Sequence, residues 1–505
     1  MDRGWCRSLR VAVGLALVLG CGSVASALSL LDDRIWGGNT HFTDEQPGEL
    51  AQLAPVFKIV RTDFVWARVE HERGVYDFAA YDRLLNSTSA HDIRNYWILD
   101  YGNPLYCNGT DAPATPEAIA AFVNYSIAAM QRYATHDIIF ELYNEPDLPK
   151  TSSGLTKATV LRPGHQLGAW YPVPNATAYM DLYQALVEAM QSKGLLGKVP
   201  LVAPASSQAA NEFLVTCFER GMLETVDGVS VHPYRSDIPE TVLNDYATLR
   251  GLIAKYTNRT VPIVSGEWGY NTCFDANGPC PCYEAHNAPH TTTQEQAQFL
   301  PRMWLLNIMA GVPISIFYEW RNGGVNGTAG EENFGVVQYE YQNASVPFEP
   351  KPAYASARTI QAQLNPATDI FSGRLTATNT TSADPDDDIF VLSFTNNSKL
   401  AMWKVDGTAS CSLTPRYYQD CGYDGITEDE CLQRSCCWNP TSHGIPECSI
   451  PPISNYTGPV SFTVGAAATF SRVDMNGHQL NPITSDAEGR VTAMIDNEPQ
   501  YWTRN

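Results

Sequence analysis

The sequence predicts an α/β chain: a (β/α)8 TIM barrel followed by an antiparallel β domain that is interrupted by a small disulfide-rich module. Three observations carry that prediction. Between Arg34 and about Leu364, eight short apolar runs alternate with longer amphipathic stretches, which is the rhythm of βα units. Past residue 366 the texture becomes apolar–polar alternation broken by turn formers, as in "DDDIFVLSFTNNSKLAMWKV", the pattern of half-exposed antiparallel strands. Between two stretches of that texture, residues 409–452 crowd six cysteines together. A chain of 505 residues has room for a large barrel and such accessories.

Taken from the N-terminus, Arg3, Arg7 and Arg10 precede the apolar run "VAVGLALVLG" and the small-residue stretch "SVASALS". This is the layout of a secretory signal peptide over residues 1–27, cut after Ala27. The apolar run is too short to span a bilayer. Ten Asn-x-Ser/Thr sequons, at Asn86, Asn108, Asn124, Asn175, Asn258, Asn326, Asn343, Asn379, Asn396 and Asn455, fit an extracellular or secretory-lumen protein carrying N-glycans. The 33 Lys+Arg against 54 Asp+Glu give a formal charge of −21, a field that repels nucleic acid and anionic membranes. A neutral partner such as an oligo- or polysaccharide is the better expectation.

The barrel is assigned to residues 28–365. Its strand candidates are "RIWGG", "FKIVRTDF", "YWILDYG", "IIFELYNE", "PLVAPAS", "GVSVHPY", "PIVSGEWGY" and "ISIFYEW". Helical stretches between them, such as "NATAYMDLYQALVEAMQSKG", open on polar or Pro residues and close on Gly. In such barrels the C-terminal ends of the strands carry the active site. Two strands end there in a carboxylate: the fourth in Glu145, within "IIFELYNEPDLP", and the seventh in Glu267, within "VPIVSGEWGY". Alternation along the fourth strand puts Glu141, Tyr143 and Glu145 on one face, Glu141 deeper and Glu145 at the rim. Glu141 is then a buried structural carboxylate needing a cationic or hydrogen-bonding partner, with Lys58 and Arg61 the candidates. No His or Cys pair in the barrel has metal-ligand spacing, so no metal or cofactor is expected. The "DPDDD" run at 384–388 reads as a solvated turn.

With Asn144–Glu145 ending strand four and Glu267 ending strand seven, the chain resembles the retaining (β/α)8 glycoside hydrolases of clan A. The stretches "VRTDFVWARVEHERGVYDFAAYDRLL" and "ILDYGNPLY" look most like its families five and thirty-nine, which hold cellulases, xylosidases and iduronidases. The resemblance implies Glu145 as acid/base and Glu267 as nucleophile in a double displacement at a β-glycosidic bond. It further implies Arg61 as the group that keeps Glu267 ionised, Asn144 as a sugar-hydroxyl ligand, and His232 and Tyr234 as groups orienting nucleophile and sugar. Trp320 would be the aromatic platform under the sugar, and Asp100 and Tyr101 would contact substrate. The alternative is a secreted glycan-binding barrel without activity, or one that passes the sugar to another sugar instead of water.

The β domain is assigned to residues 366–408 and 453–505. Within the insert, Cys411, Cys421, Cys431, Cys436, Cys437 and Cys448 are separated by nine, nine, four, zero and ten residues, with "RYYQDCG" and "CCW" in place. Cysteine counting alone leaves 15 pairings open. The spacing resembles the P-type trefoil module, which implies the bridges Cys411–Cys437, Cys421–Cys436 and Cys431–Cys448. A module this small depends on such bridges for stability. It is either a protease-resistant spur or a contact for glycan or mucin, made by Tyr417, Tyr423 and Trp438. The barrel's own cysteines are Cys107, Cys217, Cys273, Cys280 and Cys282. Cys217, in an amphipathic stretch, is expected as a buried thiol; Cys273 is expected to bridge to Cys280 or Cys282, the remaining one facing Cys107.

Overall fold

The computed structural model describes residues 33–107, 112–148, 175–235, 238–275, 278–279, 291–340, 347–379, 388–405, 427–428, 437–438, 448–449 and 457–505. Eight parallel strands close into a barrel: β1 Trp36–Asn39, β2 Ile59–Val65, β3 Arg94–Asp100, β4 Ile138–Leu142, β5 Leu201–Ser206, β6 Gly228–Val231, β7 Ile263–Trp268 and β8 Ser315–Phe317. Each strand pairs with the next in sequence, and β8 returns to β1 with Trp36 opposite Ser315. The strands are buried on both faces, which explains why they read as nearly continuous apolar runs.

Alternation sorts their side chains into two layers. Ile59, Tyr96, Ile139, Val202, Val264, Ile314 and Ile316 fill the lumen as one cluster. The opposite parity faces the helices, where Trp36 stacks on Trp304 at 5.0 Å and Trp97 meets Tyr133 edge-on at 4.9 Å. Helices Pro116–Tyr133 and Thr293–Met309 start where the sequence marks them. Thr115 accepts from the Ala118 N–H with Pro116 next to it, and Thr292 and Glu295 form a reciprocal capping box.

Beyond helix Pro352–Gln363 the chain builds two antiparallel sheets. One is six-stranded, the other joins Ala377–Asn379, Thr457–Thr463 and Arg490–Asp496. They enclose a core that includes Val391, Met402, Val460, Phe462 and Trp502. The insert leaves this domain after strand Lys399–Lys404 and returns to it at strand Thr457–Thr463. Phe390, Leu392 and Trp403 belong instead to the barrel's own apolar cluster. Trp403 donates its indole N–H to Glu240 at 2.7 Å, and Glu240 is also paired with buried Arg302 at 2.6 Å. Barrel and β domain therefore share one continuous core.

The trefoil pairings lie outside the described residues, apart from a short antiparallel pairing of Cys437 with Ser449 and Trp438 with Cys448. Tyr417 and Tyr423 lie outside them too, as do residues 384–387. Of the sequons, Asn86, Asn124, Asn175, Asn258, Asn326 and Asn396 are exposed; Asn108, Asn343 and Asn455 lie outside the described residues, and Asn379 ends a strand. No helix among the described residues is long and apolar enough to cross a membrane.

Gly37 on β1 marks how tightly the lumen closes. A Cβ there would fall 2.6 Å from Ile316 Cδ1 and 2.7 Å from both Ile59 Cβ and the Ile59 carbonyl oxygen. A backbone oxygen in a closed barrel has no room to retreat. Gly37→Ala should therefore cost about 1–3 kcal/mol of stability, read as a lower urea midpoint with an unchanged m-value.

Candidate active site

Strand order places the site. Glu141 on β4 points into the lumen, level with Arg61 on β2 and Ser230 on β6. Arg61 Nε donates to Glu141 Oε2 at 2.8 Å, the Tyr96 hydroxyl donates to Glu141 Oε1 at 2.6 Å, and the Ser230 hydroxyl donates to that same oxygen. The buried carboxylate is thus fully partnered, and its cation is Arg61. Lys58 lies elsewhere, 3.7 Å from exposed Asp92.

One guanidinium serves two carboxylates and an amide. Arg61 Nη1 donates to Glu267 Oε2 at 2.6 Å and Nη2 to Asn144 Oδ1 at 2.7 Å. Burial disfavours the Arg61 charge, but the charges of Glu141 and Glu267 outweigh that and hold its pKa well above the ordinary value. Glu267 receives two further donors, Asn39 Nδ2 on Oε2 at 2.8 Å and the Tyr234 hydroxyl on Oε1 at 2.7 Å. Three donors on one carboxyl favour its ionised form. The Tyr234 hydroxyl is kept protonated first by burial and then by the Glu267 charge.

Glu145 reaches the same point by a different route. β4 ends at Leu142, and Tyr143 and Glu145 both adopt left-handed backbone, φ 66° and 44°. Such conformations cost roughly 1–3 kcal/mol each in a non-glycine residue. They break the strand alternation. Tyr143 turns into the aromatic layer, edge-on to Tyr101 at 5.7 Å, while Asn144 swings beside Arg61. The Glu145 N–H is tied to the Ala205 carbonyl at 3.1 Å, and its Oε1 lies 2.8 Å from His232 Nδ1. Burial lowers the His232 pKa, but the Glu267 charge and the Glu145 contact raise it more, leaving it above the usual imidazole value.

A carboxylate oxygen of Glu145, a ring nitrogen of His232 and a carboxylate oxygen of Glu267 all lie within 4.8 Å of one another. Their donor atoms could meet on a metal ion, but a cation there would compete with Arg61, already 2.6 Å from Glu267. The arrangement suits a different use: one carboxylate held ionised by three donors, facing a second carboxyl attached to a histidine.

Six of the residues singled out from the sequence, Arg61, Asn144, Glu145, His232, Tyr234 and Glu267, meet in this one network. Trp320 does not join it, which corrects the expectation of an aromatic platform there. β8 ends at Phe317, the Trp320 indole N–H turns back to Glu49 at 2.9 Å, and the ring packs with Phe57, Phe348 and Tyr354. The aromatic side chain beside Tyr234 is instead Phe334, with half-buried Tyr318 edge-on to it at 5.3 Å. Asp100 is buried against Asp63, and Tyr101 packs on Tyr143 as described.

The bridge expected at Cys107 is a second correction: Cys107 carries a thiol, half-buried against the apolar core where its N–H closes a turn on the Asn103 carbonyl. Cys217 is a buried thiol whose pKa burial pushes up. Cys273 is disulfide-bonded, and Cys280 and Cys282 lie outside the described residues. Sequence reasoning missed Asn39, His41, Asp63, Tyr318 and Glu319. For Asp63 the signal was present, two residues past Arg61 on one strand face.

Residues 411–449 match the model of the trefoil (P-type) domain. Trefoil factor 3 of Canis lupus familiaris is 33% identical over 63 residues, 12% of this chain and 79% of that protein. Among solved structures, a family 39 glycoside hydrolase from Bacteroides cellulosilyticus WH2 superimposes with a TM-score of 0.62 at 16% identity, covering 94% of this chain and 82% of its own. A glucosidase from Croceicoccus marinus gives 0.54 at 12% identity, over 94% and 96%. These likenesses establish the fold, a barrel followed by a β domain, to which a trefoil module is added.

The Arg61 network makes a stability prediction. Arg61→Met leaves Glu141 buried without its cation, at a cost of about 3–5 kcal/mol. Adding Glu141→Gln should recover at least half of that loss, measured by urea unfolding; no recovery would show that Glu141 is not the group Arg61 supports.

Proposed function

For a chain that belongs to the trefoil (P-type) family through residues 411–449 and folds as this barrel, we propose secretion and hydrolysis of β-glycosidic bonds in an oligo- or polysaccharide with retention of configuration. The observation that carries the reading is the spacing of the carboxyl groups, with oxygens of Glu145 and Glu267 within 4.8 Å. Retaining enzymes need carboxyls roughly 5–5.5 Å apart, whereas inverting ones need about 6.5–9.5 Å to admit a water between them.

The roles follow from the partners. Glu267, with Arg61, Asn39 and Tyr234 on its oxygens, is the nucleophile that attacks the anomeric carbon. Glu145, whose partner is His232, gives its proton to the departing oxygen and then takes one from the attacking water. The Tyr234 hydroxyl fixes the nucleophile's angle of attack. Asn144, held by Arg61, presents its amide N–H to the hydroxyl next to the anomeric carbon, where a hydrogen bond gains strength in the oxocarbenium-like transition state. The signal-like N-terminus and the exposed sequons support an extracellular setting, and the trefoil module supports a glycan-rich one.

Glu267→Ala should abolish turnover of aryl β-glycosides, and added azide should restore a glycosyl azide of α configuration. Recovery of the β anomer would assign the nucleophile elsewhere. Glu145→Ala should lower kcat/KM by about 10²–10⁴ for substrates with poor leaving groups and far less for activated aryl glycosides. Equal losses on both would remove its acid role.

A further inference from the structure

Resting on the hydrolase reading, we infer that Asp147 is the positioning residue of the acid/base: through the end of β5 it holds Glu145 and His232 together, and proton transfer to the departing group depends on it. The need for such a residue lies in the backbone. Glu145 stands at φ 44°, in the left-handed region, and directly before Pro146. A non-glycine side chain disfavours that region, and a residue preceding proline is pushed towards extended backbone instead. The Glu145 N–H is held by the Ala205 carbonyl at 3.1 Å. On the other side Pro146 has no N–H to give, so the chain is anchored one residue later.

That anchor is the Asp147 carboxylate. The Leu148 N–H closes a turn on the Glu145 carbonyl at 3.2 Å, with Pro146 and Asp147 at its centre. Asp147 Oδ2 accepts from the Ser206 hydroxyl at 2.8 Å, the Ser207 hydroxyl at 2.9 Å and Asn211 Nδ2 at 2.8 Å, and Oδ1 accepts from the Ser207 N–H at 2.9 Å. Hydrogen bonds to an ionised acceptor are roughly twice as strong as neutral ones. Asn211 is itself fixed, because its Oδ1 caps helix Glu212–Glu219 by accepting the Leu214 N–H at 2.9 Å.

The same stretch of β5 holds the histidine. Ser206, whose hydroxyl donates to Asp147, accepts the His232 N–H on its carbonyl at 2.7 Å. The successive carbonyls of Ala205 and Ser206 point to opposite neighbours, β4 and β6, so this short stretch sets the 2.8 Å between Glu145 Oε1 and His232 Nδ1. Without the carboxylate, Ser206, Ser207 and Asn211 lose their common acceptor. The turn then relaxes Glu145 towards the extended backbone that Pro146 favours and carries its carboxyl away from His232. Arg61, Asn39 and Tyr234 hold Glu267 by separate contacts, so the nucleophile stays in place. The loss is confined to the step that needs an acid.

The test uses the full-length chain and aryl β-glycosides of the sugar it hydrolyses best. Asp147→Ala should lower kcat/KM for the phenyl glycoside by about 10²-fold, and for the dinitrophenyl glycoside, whose leaving group needs no proton, by less than about threefold. In a Glu145→Ala background the same substitution should cost nothing further, the non-additivity expected of a residue that acts through another. Ser207→Ala removes one hydroxyl donor and leaves the N–H; it should move the ratio between the two substrates in the same direction, and it decides the matter should Asp147→Ala fail to fold. Equal losses on both substrates, losses that add to those of Glu145→Ala, or a ratio that neither variant moves overturns the inference. An unmodified chain that cleaves no aryl β-glycoside overturns the hydrolase reading and this inference together, whereas an active chain with uniform losses loses this inference alone.

Discussion

The Arg61 guanidinium is the constraint around which the rest is arranged. It is buried between Glu141 below and Glu267 above, and a charge so placed is tolerable only with its partners in place. The partners come from two strands: Glu141 from β4, Asn144 from just past its end, and Glu267 from β7. The ion cluster therefore fixes the relative height of β2, β4 and β7. It does what a lumen of isoleucines alone cannot, because apolar packing is non-directional and tolerates a shift that a bidentate guanidinium does not. Gly266 shows the closeness of fit, since a Cβ there would come within 2.2 Å of the Ser230 hydroxyl that serves Glu141.

Stability and chemistry part company at the end of β4. Below Leu142 every residue obeys strand alternation, and above it the backbone enters left-handed conformations at Tyr143 and Glu145 that the sequence's residue types disfavour. What holds them is the neighbouring strands: Leu99 accepts the Tyr143 N–H and Ala205 accepts the Glu145 N–H. The strain is local, the restraint comes from two adjacent strands, and the product is a carboxyl aimed at the cleft beside His232.

That division explains what could be read in the sequence. The eight strands were legible because burial on both faces writes itself as apolar runs, and the two glutamates because each ends such a run. Parity and depth marked Glu141 as a buried carboxylate and left Lys58 and Arg61 as its candidate partners; the contact itself is with Arg61. Trp320 was misjudged because the resemblance put it at the end of the eighth strand, whereas that strand stops at Phe317 and the chain beyond turns the indole back to Glu49. Cys107 was misjudged because nearness in the loop layer does not reveal which way a short turn aims its thiol. Asn39 stood just past the quoted "RIWGG" run, and its role appears only once β1 and β7 are known to lie on either side of β8.

The site then resolves into two tiers. The lower tier, Arg61, Asn144, Glu145, His232, Tyr234 and Glu267, has its donors and acceptors matched, and matched groups hold their geometry without a ligand. Above it, His41, Asp63, Asp100 and Glu319 meet one another, with His41 Nε2 3.2 Å from Glu319 Oε2 and Nδ1 3.9 Å from Asp63 Oδ2. The matched tier sits where strand ends of the barrel converge, so a common barrel can keep its pair of glutamates while the loops above them vary.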